Sequence, residues 1–109
     1  MKILSPVLGQ FANGEYAWWC PGCRHAHHVP TGGGPHPIWQ FNGNVDRPSF
    51  TPSVRHFLPA DEHGPEGTFC HYIITDGQIG FCGDCTHALN GQTVPMVPLA
   101  DHQDYGWPD

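Results

Sequence analysis

Five cysteines and nine histidines in 109 residues are the groups here most able to do chemistry. Four of the cysteines form two pairs, Cys20-Pro21-Gly22-Cys23 and Cys82-Gly83-Asp84-Cys85. A Pro-Gly turn lets two sulfurs face one ion while backbone N–H groups support the thiolates. Tetrahedral zinc wants four N or S ligands, and two such pairs supply four. The intervening stretch is much longer than in a compact finger, so an ion would tie distant parts of the chain. The loop-closure cost of that grows slowly with length.

The fifth cysteine, Cys70, leaves the ligand set open. It precedes His71 at the end of an expected hairpin away from its turn, beside the second pair in space and within reach of Cys85. The set is therefore Cys20, Cys23, Cys82 and Cys85, or Cys20, Cys23, Cys70 and Cys85. His25, His27, His28, His71 and His87 are further candidates, each more simply read as a hydrogen-bonded or surface residue. Trp-Cys-x-x-Cys also has the look of a thioredoxin pair, but no helix pattern starts at Cys20. A catalytic zinc would need an open position and a general base, and His71, Asp84 and His87 gather near the second pair. On a helical turn, Asp84 could orient His87. Cys85 could also be an activated thiolate with His71 or His87 as base.

The elements that must hold these groups are short. Fourteen Gly and 12 Pro break helices and strands. Four Trp, three Tyr and six Phe supply burial that a disordered chain lacks. The expected fold is mainly β: one small domain, residues 1–99, of short antiparallel hairpins tied by a zinc site. One short helix follows the second cysteine pair, and residues 100–109 fray. The clearest hairpin is "TFCHYIITDGQIGFC", with Asp76-Gly77 as a type I′ turn. Its core face carries Cys70, Tyr72, Ile74, Ile79 and Phe81, and its other face His71, Ile73, Gln78 and Cys82. Asn42-Gly43 signals a second hairpin after "IWQF". "VPTGGGPHP" and Pro59 to Gly67 read as loops. "DRPSFTPSVRHFLP" reads as an edge strand or extended loop, limited by its prolines. Its Arg47 and Arg55 flank exposed hydroxyls and could form a binding lip. Trp39 and Phe41 read as core.

Four Lys and Arg against ten Asp and Glu give a net charge of -6. So few cations cannot make a phosphate-binding patch, which argues against direct nucleic-acid binding. The acidity suits solubility or a basic protein partner. No apolar run approaches a membrane span, and "MKILSPVLG" is no secretory signal. The expected compartment is the cytoplasm, where C-x-x-C means metal or redox work.

Three segments together, W-C-P-x-C, P-x-F-x-P-S and C-H…D-G…D-C-x-H-x-L-x-G, carry a resemblance over about Trp18 to Val97. The sequence resembles a family of small zinc-binding proteins of tailed phages and prophages, some labelled ammonia monooxygenase. Nothing in the chain suggests a membrane copper enzyme. The family pattern falls on Cys20, Cys23, His27, Pro48, Phe50, Pro52, Ser53, Cys70, His71, Asp84, Cys85, His87 and Gly91. Cys82 departs from it, since relatives often have an apolar residue there. The resemblance thus implies zinc on Cys20, Cys23, Cys70 and Cys85, with Cys82 and His27 as alternate ligands. It implies a phage accessory protein whose zinc is structural and which binds a host or phage protein. The other reading is a small zinc-dependent hydrolase using His71, Asp84 and His87.

Overall fold

A computed structural model describes residues 1–32, 38–59 and 67–109. The glycine run after Gly32 and most of the loop expected over Pro59 to Gly67 lie outside the described residues. Among the described residues, nine strands form two antiparallel sheets, each joined in chain order. The first holds β1 (Lys2–Ile3), β2 (Gly9–Gln10), β3 (Tyr16–Cys20) and β4 (His25–Val29). The second holds β5 (Gln40–Phe41), β6 (Phe50–Leu58), β7 (Thr68–Thr75), β8 (Gln78–Phe81) and β9 (Thr93–Pro95). The mainly-β expectation therefore holds.

Both sheets feed one core. Leu8, Trp18 and Val29 from the first meet Phe50, Val54, Tyr72, Ile74 and Ile79 from the second. Trp18 packs on Phe50 with ring centroids 5.1 Å apart. Its indole N–H donates to the Tyr72 hydroxyl at 2.9 Å, and that hydroxyl donates to His27 Nδ1 at 2.6 Å. The relay satisfies the buried polar tips of Trp18 and Tyr72, as burial requires. It also needs a neutral His27. Burial pushes this imidazole from an ordinary 6.5 down to about 3. The sign follows: unfolded chain takes up the proton first as pH falls. Stability from this group is complete above about pH 6.5 and drains away on acidification toward pH 3. A urea-melt series over that window is expected to show a loss of about 1.4 kcal/mol per pH unit from this one proton. His27→Gln, whose amide stays neutral, should flatten that slope.

The β7–β8 hairpin follows the sequence reading. Asp76 and Gly77 both have positive φ, 49° and 77°, as a type I′ turn demands. Thr75 pairs with Gln78, Ile74 with Ile79 and Tyr72 with Phe81. Cys70, Tyr72, Ile74, Ile79 and Phe81 are all buried.

Three expectations change. Asn42-Gly43 does not make a two-residue hairpin turn. The Asn42 and Asn44 side chains accept backbone N–H groups from Asn44, Asp46 and Arg47, each at 3.1 Å. These local bonds build a wider loop, closed by Asn42 N–H to the Ser49 carbonyl at 3.1 Å. No helix follows the second cysteine pair, since residues 83–91 are turns and bends. The short helix is a 3₁₀ segment at Leu99–Tyr105 instead, in the region expected to fray. Aromatic packing holds it: His102 stacks on Trp19 at 4.1 Å, and Tyr105 and Trp107 meet the same indole edge-on.

Candidate functional site

β6 and β7 begin in register at Phe50–Ile74 and resume at Val54–Tyr72. Three residues, Thr51 to Ser53, thus oppose one, Ile73. The bulge lies at Pro52, which cannot donate to a ladder, just past the β5 pairing at Phe50 and Thr51. Two extra residues preserve the alternation, so Phe50, Val54 and Leu58 stay in the core. Ser53, Arg55 and Phe57 then share the outer face with Phe69, His71 and Ile73.

On that face Ser53 Oγ–H donates to His71 Nε2 at 3.0 Å. The other ring nitrogen, Nδ1, donates to Asp84, with its carboxylate oxygens at 3.2 and 3.3 Å. The imidazole is thereby fixed with its proton on Nδ1 and a lone pair toward the serine. A serine, histidine and aspartate in a single hydrogen-bonded line is the geometry of nucleophilic acyl transfer. Asp84 reaches His71 because the chain folds back after β8. Cys82 N–H bonds the His71 carbonyl at 2.9 Å, and Thr86 N–H bonds the Phe69 carbonyl at 3.0 Å.

A second cluster lies on the inner side of the same two segments. Along β7, Cys70 points inward and His71 outward. In the turn, Asp84 is exposed and Cys85 is buried. The sulfur atoms of Cys20, Cys23 and Cys70 lie within 4.8 Å of one another, as do the donors of Cys70, Cys85 and His87. All five cysteines are free thiols. Cys20 and Cys70 are 3.8 Å apart, and Cys23 N–H donates to Cys20 Sγ at 3.5 Å.

Hydrogen bonds from the Cys23 and Cys70 thiols push Cys20 down to about 2, and the same contact with Cys20 pushes Cys23 up to about 12. Cys70 is pushed up for the same reason. These contacts favour a thiolate at Cys20 over one at Cys23 or Cys70, and a cation bound there would displace the thiol protons. Cys20, Cys23 and Cys70 could hold a metal ion.

His87 is distinguished by its tautomer. Leu89 N–H donates to His87 Nδ1 at 3.2 Å, which leaves the ring proton on Nε2. That proton points at Cys70 Sγ, 3.3 Å away. His87 is thus a donor to sulfur, and Cys85 lies with Cys70 and His87 in the second of these groups. Cys85 Sγ accepts His71 N–H at 3.3 Å and, as a thiol, donates to the His71 carbonyl at 3.1 Å, and burial pushes this thiol up.

The candidates from sequence therefore separate. His71 and Asp84 come together, but His87 joins the sulfurs and Asp84 orients His71, not His87. The geometry assumed for Asp84 and His87 required a helical turn, which this segment lacks. Cys82 lies beside His71 and Asp84, outside the sulfur groups. His27 is bonded to Tyr72. Cys85 has His71's backbone, not its imidazole, as its neighbour. Arg55 sits directly across from His71. Ser53 was legible as an exposed hydroxyl in "RPSFTPS" and as a position of the P-x-F-x-P-S pattern, with no role attached to it. Its signal was a serine directly after a strand-breaking proline.

A mainly-β protein with a Ser-His-Asp line on one sheet face and a thiol cluster behind it belongs, by form, among candidate serine hydrolases. Residues 4–82 match the family described as "Bacterial ubiquitination-like system serine protease (BubE)", and the chain belongs to that family. The match includes Ser53 and His71 and ends before Asp84. No curated protein and no solved structure matches significantly. Among the described residues, no helix is long and apolar enough to cross a membrane.

Proposed function

We propose that this protein is a serine protease in which Ser53 is the nucleophile, His71 the general base and Asp84 the group that orients it. The observation that carries the reading is the unbroken line Ser53 Oγ–His71 Nε2, His71 Nδ1–Asp84. Family membership supports it. In the first step Ser53 Oγ attacks the scissile carbonyl and its proton passes to His71 Nε2. Asp84 stabilises the imidazolium through the Nδ1–H bond. His71 then gives that proton to the leaving amine, and water, deprotonated by the same nitrogen, releases the acyl group.

The substrate in this reading is a polypeptide. The triad stands on an open face, with Asp84 about half exposed. Phe57 at 60 % and Ile73 at 43 % are exposed apolar side chains on the same face. Such a surface suits an extended chain better than a small molecule. The family's description points to a protein of a ubiquitination-like system. The -6 charge argues against direct nucleic-acid binding here.

The metal in this reading is zinc, held by Cys20, Cys23, Cys70 and Cys85, and it is structural. Four protein sulfurs leave no open position for water. Its contribution is to fix the fold. The chain's own residues do the chemistry.

Incubation with ubiquitin-like substrate proteins, followed by intact mass, tests the activity. Asp84→Asn is expected to keep the fold and lower kcat by about 10³- to 10⁴-fold, because asparagine no longer holds the productive tautomer. Equal activity in this variant would remove Asp84 from the mechanism.

A further inference from the structure

We infer that the His71–Asp84 pair and Cys82 form a second, inhibitory site for a divalent cation of the zinc type, distinct from the four-sulfur centre. The inference rests on the serine-protease reading for its consequence, not for the binding itself. Donor atoms of His71, Cys82 and Asp84 lie within 4.8 Å of one another. The His71–Asp84 edge is already 3.2 Å. Tetrahedral zinc with N, O and S ligands has ligand–ligand edges of about 3.3–3.8 Å, so only a small inward motion of the sulfur is needed.

The placement is specific. Ile79 and Phe81 of β8 point into the core, so Cys82 falls on the same outer face as His71. The backbone bond from Cys82 N–H to the His71 carbonyl, 2.9 Å, fixes the two segments side by side. Cys82 is half-buried and a free thiol, not tied up with the other four. Imidazole, thiolate and carboxylate together suit zinc better than magnesium or calcium, which prefer all-oxygen sites. Three protein ligands leave a fourth position to water.

The chemical consequence follows from the tautomer. Binding takes the lone pair at His71 Nδ1, so the ring proton moves to Nε2. Cys82 gives its thiol proton to solvent as it becomes a thiolate. Nε2 then presents an N–H to Ser53 and cannot accept the serine proton. The cation switches off the base without touching the nucleophile. Activity would therefore track free zinc, through the same kind of ion that the fold uses structurally.

Isothermal titration of the purified, metal-loaded protein with Zn²⁺ tests this, read together with fluorophosphonate labelling of Ser53 at each zinc level. The wild-type chain is expected to take up one Zn²⁺ beyond its resident ion. Labelling should slow at least tenfold as that site fills and recover on mild chelation. Cys82→Ser should label at the wild-type rate without zinc, bind the extra ion at least tenfold more weakly and ignore zinc at the same concentration. Asp84→Asn should weaken the same binding. Uptake of no further ion by the wild type, or equal uptake by Cys82→Ser, would overturn the inference. Absence of Ser53 labelling before zinc is added would instead count against the protease reading, and the calorimetry would still decide the metal site.

Discussion

Ser53→Ala is expected to abolish proteolysis, lowering kcat by about 10⁴- to 10⁶-fold, while the melting transition stays within a degree or two of wild type. The size follows from the role. Removing the nucleophile ends covalent catalysis and leaves only binding and electrostatic effects. The stability forecast follows from position. Ser53 is half-buried on the outer face of a bulge, and among the described contacts its hydroxyl serves His71 alone. Removing it leaves His71 Nε2 near solvent, where water replaces the bond at small cost. Steady-state cleavage and a urea melt on the same preparation check both halves. A variant that cleaves at more than a hundredth of the wild-type rate would remove Ser53 from the chemistry.

Cys23→Ser is expected to leave the chain unfolded. Structural zinc contributes roughly 10–16 kcal/mol of apparent binding energy in small domains. The total stability of a domain this size is roughly 5–15 kcal/mol. The two scales overlap, so loss of one ligand is enough. Geometry gives the reason in this chain: Cys20 and Cys23 lie at the first sheet's β3–β4 turn, Cys70 on β7 of the second sheet and Cys85 in the turn after β8, so an ion held by them would bolt one sheet to the other. Far-UV circular dichroism and elemental zinc on the variant check it. A stable fold without metal would show that the cysteines serve something other than structure.

The same centre reaches the triad. Cys70 and Cys85 are the chain neighbours of His71 and Asp84, and Cys85 Sγ also holds the His71 backbone N–H.

Much of this was legible in the sequence. Alternation in "CHYIITDGQIGF" assigns Cys70 to the core and His71 to the outer face, because strand residues alternate and Asp-Gly fixes the register. The Pro-Gly spacing of Cys20 and Cys23 marks them as a pair. Three things were not legible. Whether Cys70 or Cys82 completes the sulfur group depends on how the chain turns after β8, a tertiary matter. The pairing of Asp84 with His71 required that turn to be non-helical, against the helical pattern of "DCTHALNG". The role of Ser53 depends on a two-residue bulge that no pattern of apolar residues encodes. Prolines at 48 and 52 suggested an edge. The structure uses the second of them inside the bulge that carries the serine.

The most direct test of the central claim is the site of covalent modification by a fluorophosphonate, read by intact mass and peptide mapping on the metal-loaded protein. One adduct per chain is expected, on Ser53, and it should disappear in His71→Ala although that variant still folds. An adduct on any other residue, or none on a folded, metal-loaded chain, would contradict it.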